Sequence, residues 1–150
     1  MKNLFFIILG TFLALACSDR SSDREVQIRE KALSFAESYF NYDFKEAQKH
    51  ITSESVKWLK FAASNMTQED IDKLNSQEDI AHVEFNGFLQ LNDTAFIITV
   101  TVSNFLKKDS VSTSGVMIDK ASFPLKVVER DGKHYVRMEA LPQSERQSLD

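Results

Sequence analysis

The sequence predicts an α+β domain, with N-terminal helices packed on an antiparallel sheet. Three observations carry this. The first half of the chain holds four helix-start signatures, each followed by apolar residues at steps of three and four. From Ala81 onward the apolar residues recur at every second position instead, the period of a strand with one buried face. Near the end, Asp131-Gly132 separates two such runs, a strong short-range hairpin signal.

Ser22-x-x-Glu25 reads as a capping box opening the first helix, whose stripe is Ile28, Ala32, Phe35, Ala36, Tyr39 and Phe40. Asp43-x-x-Glu46 opens a short second helix with Phe44, Ala47 and Ile51 on one side. A third follows Thr52-Ser53, with Val56, Leu59, Ala62 and Ala63 on its apolar side. Thr67-x-x-Asp70 caps a last turn or two ending near Asn75.

The first strand sets Ala81, Val83, Phe85, Gly87, Leu89 and Leu91 against His82, Glu84, Asn86, Gln90 and Asn92. The apolar parity runs through Gly87 without a break. After an Asn92-Asp93 turn, Phe96, Ile98, Val100 and Val102 face inward. Residues Lys107 to Ser110 form a further turn, and Ser112 to Ser122 is polar and poorly patterned. Phe123, Leu125 and Val127 then restore the alternation, and Val136 and Met138 point inward from the last strand. Pro142 to Asp150 reads as a frayed tail.

Ahead of the domain stand Lys2, an apolar run from Leu4 to Ala16, and Cys17. A positive start, an apolar middle and small residues at Ala14-Leu15-Ala16 are the parts of a secretory signal. The run is shorter than the roughly 20 residues a membrane-spanning helix needs. Either Ala14-Leu15-Ala16 is an ordinary cleavage site that leaves Cys17 as a free thiol, or Leu13-Ala-Leu-Ala-Cys17 is a lipobox. The second reading is preferred, because an unpaired thiol is a liability in an oxidising compartment and Cys17 is the chain's one cysteine. Cleavage then falls between Ala16 and Cys17, and lipid is attached to Cys17.

The expected organisation is a signal peptide over 1–16, a lipidated flexible tether over 17–23, one domain over 24–141 and a tail over 142–150. The expected location is the bacterial cell envelope, at the periplasmic face or the cell surface. The partner expected there is membrane lipid, through Cys17.

The net charge of −4 argues against nucleic acid as a partner. A single cysteine excludes an internal disulfide. The three histidines share no metal-type spacing, and no Gly-rich phosphate loop or nucleophile elbow is present. No cofactor or metal is assigned.

An amphipathic helix ending in Tyr39-Phe40, then Asp43-Phe44-Lys-Glu-Ala47, then an Asp-Gly turn and Gly132-Lys-His-Tyr-Val136 close to the end, resembles the nuclear-transport-factor-2-like (cystatin-like cone) superfamily. The likeness is to the small Bacteroidetes-type lipoproteins of that group, over roughly Arg24 to Leu141. It implies a strongly curved sheet wrapped around the long first helix, with a conical pocket at the open end. Members of the superfamily include isomerases, cyclases and dehydratases, binders of small molecules, and proteins that only dimerise.

The inward set of strand residues contains no carboxylate. His82 and Glu84 would suit acid–base work, but their parity assigns them to the wet outer face. His134 has inward parity beside the hairpin. The residues expected to line a pocket are Tyr39, Tyr42, Trp58, Phe96, Ile98 and His134, with the two tyrosine hydroxyls as polar handles. No catalytic residue is assigned.

Three functional readings follow, in this order. The first is non-catalytic binding of a hydrophobic small molecule or a protein partner. The second is a dimerising or docking subunit that uses Ile97, Thr99 and Thr101 on the outer face, and a homodimer is one form of it. The third is an isomerase or cyclase, placed last because the inward face lacks an acid or base.

Overall fold

The computed structural model describes residues 16–108 and 113–145, with side chains from Arg20 onward. The apolar stretch before Ala16, residues 109–112 and residues 146–150 lie outside this range, as does the Cys17 side chain.

Helix α1 (Ala16–Phe40) buries Ile28, Ala32, Phe35, Ala36 and Phe40 along the expected stripe. Its start corrects the expectation of a cap at Ser22 and a flexible spacer before it. The helix begins six residues earlier, so Ser22 and Asp23 lie inside it. Neither Pro nor Gly interrupts Ser18–Asp23, and the packed part of the helix propagates into it.

The helix stops at Tyr42, which adopts a left-handed conformation (φ 62°) while the Asp43 amide donates back to Ser38 O at 2.9 Å. This is the usual helix-ending geometry, with a bulky aromatic where Gly is preferred. Helix α2 (Phe44–Ala47) is capped as expected, Asp43 accepting from the Glu46 amide at 3.0 Å. Helix α3 (Val56–Ser64) buries Leu59, and α4 (Gln68–Asn75) carries both bonds of the Thr67/Asp70 capping box.

Strands β1 (His82–Asn92), β2 (Ala95–Lys107), β3 (Val116–Arg130) and β4 (Lys133–Val136) form one antiparallel sheet in sequential order. The Asp131-Gly132 hairpin has positive φ at both positions (52° and 71°), which a two-residue primed turn requires. The helices pack on one face of the sheet, and α1 touches all four strands. Segment 51–55 covers the free edge of β4. The Thr52 amide donates to Val136 O at 3.0 Å, and Ser55 Oγ accepts from the Met138 amide at 2.8 Å. The architecture is therefore α+β, helices on a four-stranded antiparallel sheet.

The inward parity expected for β1 is corrected. Phe85 faces Val100 but Gly87 faces Thr99, so Asn86 is an unpaired bulge residue. One extra residue exchanges the two faces. Phe88, not Leu89, then opposes Ile98 and packs on the core, while Leu89 and Leu91 are 59% and 50% exposed.

Strand β3 begins at Val116, inside the stretch whose own pattern is weak, because β2 supplies a partner as far as Lys107. Of the expected tail, residues 142–145 are described, and they meet the sheet. The Glu145 amide donates to Ser122 O at 2.8 Å.

Candidate functional site

A partly open cavity of about 370 Å³ lies where the end of α1 meets α2, α3, the exit of β2, β3 and the tail. Seven rings line it: Tyr39, Phe40, Tyr42, Phe44 and Phe61 from the helical side, Phe105 and Phe123 from the sheet. Six of them pack on one another, with Phe40 and Phe123 centroids 4.6 Å apart and Phe40 and Phe105 centroids 5.4 Å apart. Tyr39 meets Phe44 edge-on at 5.9 Å. Such offset and edge-to-face contacts hold rings in fixed orientations.

The backbone at Tyr42 is part of how this wall is built. Its left-handed φ is strained for an aromatic residue and persists because the side chain is tied down. The Tyr42 hydroxyl donates to Leu106 O at 2.7 Å, and its ring meets Phe44 at 5.6 Å. Burial pushes the Tyr39 hydroxyl above the usual tyrosine range. It does the same to Tyr42, with the Tyr39 and Asp70 charges adding to the effect.

The rim includes Asn65 and Met66, the β2 exit residues Lys107 and Lys108, and Leu141 to Ser144 of the tail. Lys108 is ion-paired with Asp70, whose side chain is fully buried. Burial alone would raise the Asp70 pKa. The Gly115 amide, the Lys108 ammonium and Thr67 outweigh it and hold the carboxyl well below the usual carboxylate range. Lys73 Nζ donates to Gly115 O at 2.9 Å, so α4 holds both the N–H and the C=O of the residue just before β3.

Of the residues expected to line a pocket, Tyr39 and Tyr42 lie on this cavity and four lie elsewhere. Phe96 and Ile98 are fully enclosed in the core, at 2% and 0% exposure. Trp58 packs against the core with Lys57 Nζ 5.4 Å from its ring.

His134 sits beside the start of β2, its ring 6.4 Å from Phe96. Its Nε2 is 3.4 Å from Glu129 Oε2 but not aligned for a hydrogen bond. Arg24 of α1 binds the same Glu129 oxygen at 2.5 Å. Burial pushes the His134 pKa down against the pull of Glu129. His82 and Glu84 are exposed and 3.9 Å apart on the outer face.

Sequence reasoning missed Phe105, the lysine rim and the tail. Phe105 is inward although the parity of β2 ends inward at Val102, and Asn104 between them has φ 55°. A Phe-Leu pair immediately before two lysines was the available signal.

Among the described residues no group of three or more His, Cys, Asp or Glu side chains is placed to hold a metal ion. No described helix is long and apolar enough to cross a membrane. No family model, curated protein or solved structure matches the chain.

Proposed function

We propose that this protein is a lipid-anchored lipoprotein of the bacterial cell envelope whose cavity binds a hydrophobic small molecule without transforming it. The aromatic cavity is the observation that carries the reading. Its volume of about 370 Å³ falls in the range of small-molecule sites, roughly 300–1,000 Å³. Its described lining is mostly apolar and includes no carboxylate or histidine, which favours binding over acid–base chemistry.

The anchor rests on the lipobox sequence ending in Cys17. A diacylated and then N-acylated cysteine meets the need for more than one chain in stable anchoring. Helix α1 joins the two features, because Cys17 stands near its start and Tyr39 near its end. At 1.5 Å per residue the two are about 33 Å apart along the helix. A cavity between the end of a long helix and a sheet also supports membership of the cone superfamily that the sequence resembles.

The test is extraction of the protein, purified from membranes, followed by mass spectrometry of the organic phase. A co-purifying small molecule present in the native protein and depleted in Ala62→Trp, which fills the cavity, is expected. Equal recovery from both proteins would contradict the reading. For the anchor, Cys17→Ala is expected to move the protein out of the membrane fraction.

A second reading has one observation in its favour. The Asn86 bulge turns Leu89 outward beside the half-buried Ile97 and Thr99, and Leu91 is exposed at a second bulge between Gln90 and Asn92. That strip would serve a dimerising or docking subunit. Sedimentation of Leu89→Arg against the native protein tests it, with loss of a dimer as the expected result.

A further inference from the structure

We propose that the cavity takes a flat aromatic ligand carrying a neutral hydrogen-bond acceptor, such as a ring ketone, and that the Tyr39 hydroxyl is the donor that reads this acceptor. The proposal rests on the binding reading above and narrows it to a chemical class.

The two tyrosines of the wall are used differently. The Tyr42 hydroxyl donates to Leu106 O at 2.7 Å and ties down the left-handed backbone at its own position. Tyr39 lines the same cavity, yet among the described residues its hydroxyl bonds to no acceptor. It is not sealed in the interior either, since the buried side-chain atoms without a partner are Arg29 Nε and His134 Nε2. Water satisfies an open hydroxyl of this kind in the free protein, and a ligand acceptor brought to the wall takes over that bond.

The direction of the donor is set before any ligand arrives. The Tyr39 ring stacks on Phe35 with centroids 5.4 Å apart, and it meets Phe40 and Phe44 edge-on at 5.2 and 5.9 Å. A phenolic hydroxyl lies on the long axis of its ring, so a ring clasped by three others aims its donor with little further loss of freedom. Burial pushes the Tyr39 pKa above the usual tyrosine range, which keeps the proton in place at physiological pH.

The rest of the wall sets the ligand's shape and the kind of acceptor. Phe40, Phe44, Phe105 and Phe123 present faces and edges from the helical side and from the sheet. A flat ring system packs on them with the offset and edge-to-face geometry that they already use among themselves. The rings in contact with Tyr39 offer an ionised group nothing in return for its lost hydration. A carbonyl oxygen costs far less to bring there, and one hydroxyl satisfies it.

The test uses fluorene and 9-fluorenone, the same flat tricyclic skeleton without and with a carbonyl oxygen. Each is titrated by its displacement of the fluorescent dye N-phenyl-1-naphthylamine. Residues 18–150 contain every buried core residue, which run from Ile28 to Met138, and a cooperative thermal melt establishes that this chain is folded before titration.

The quantity read is the ratio of the fluorene to the fluorenone dissociation constant, in the native protein and in Tyr39→Phe. Comparing the two proteins cancels the different hydration of the two probes. The ratio is expected to fall by about five-fold in Tyr39→Phe, the scale of one net hydrogen bond, with fluorene itself changed by less than about two-fold. The melting temperature of Tyr39→Phe should match the native one, because the lost hydroxyl has no protein partner. Ala62→Trp should abolish binding of both probes. The same ratio in both proteins would overturn Tyr39 as the reader while leaving the cavity as a binding site, and so would a lowered melting temperature, which would mean that the protein itself holds the hydroxyl. A dye that does not bind, probes that do not displace it, or binding that survives Ala62→Trp would overturn the binding reading itself.

Discussion

The carboxylate of Asp70 accepts a hydrogen bond from the Gly115 amide at 2.6 Å, joining α4 to the first residues before β3 across 45 positions of sequence. The same carboxylate receives the Thr67 amide and the Lys108 ammonium while fully buried. Removing it leaves the largely buried Lys108 cation, the buried Gly115 N–H and the half-buried Thr67 N–H without their acceptor. Asp70→Ala is therefore expected to destabilise the protein by about 3–5 kcal/mol. Urea unfolding measures this, and a loss below about 1 kcal/mol would mean that Lys108 and Gly115 find water instead.

Gly115 also lies where two parts of the chain approach closely. A Cβ there would lie 2.8 Å from Leu106 Cγ and 2.9 Å from the Lys107 carbonyl oxygen, and the latter is backbone that has little room to give. Gly115→Ala is expected to destabilise by about 1–3 kcal/mol through overpacking. Because Lys107 belongs to the cavity rim, the same variant should lower recovery of the small molecule expected to co-purify with the native protein. Unchanged stability would show that the β2–β3 connection yields more easily than its packing implies.

The bulge at Asn86 makes a prediction that the alternation of the sequence would reverse. Phe88 packs on the core, its ring 5.7 Å from Phe96, whereas Leu89 is 59% exposed. Phe88→Ala should destabilise by about 2–3 kcal/mol, below the range for a fully enclosed Phe. Leu89→Gln should stay within about 0.5 kcal/mol, as surface changes do. The opposite ranking would restore the unbroken register.

These cases show which features local sequence carries. The stripe Ile28–Phe40, the Thr67/Asp70 box and the Asp131-Gly132 turn depend on residues within a few positions of each other, so all three were legible. The α+β class followed from them. The bulge at Asn86 and the reversal at Asn104 are set by which residue of the neighbouring strand stands opposite, and a single strand's pattern does not hold that information. The cavity inherits the same division. Tyr39 and Tyr42 were within reach as the expected polar handles of a pocket, whereas Phe105, the lysine rim and the tail join it through pairings distant in sequence. The helical start at Ala16 was missed because Ser22-x-x-Glu25 imitates a cap inside a helix that nothing interrupts.

Acid should weaken the fold in two stages. Burial lowers the pKa of both His134 and His50, with Lys31 acting in the same direction on each, Arg24 on His134, and Glu129 and Glu46 opposing. A lowered folded pKa means that the unfolded chain binds more protons. Stability is then complete above the unfolded histidine value of about 6.5 and declines as pH falls from there toward the depressed values. The depressed carboxyls of Asp70 and Glu129 add a second loss below about pH 4. Urea midpoints between pH 7.5 and 4.5 check the first stage. His134→Gln should flatten the profile between 6.5 and 5, and an unchanged slope would remove His134 as its source.

A crystal structure of residues 18–150 soaked with N-phenyl-1-naphthylamine tests the central claim most directly. The predicted result is density for the dye in the cavity, with its naphthyl ring packed among Phe40, Phe44 and Phe123 and no more than small side-chain shifts around it. A cavity closed by its own lining, with Phe61 and Met66 folded inward and the dye bound elsewhere or absent, would contradict the binding function.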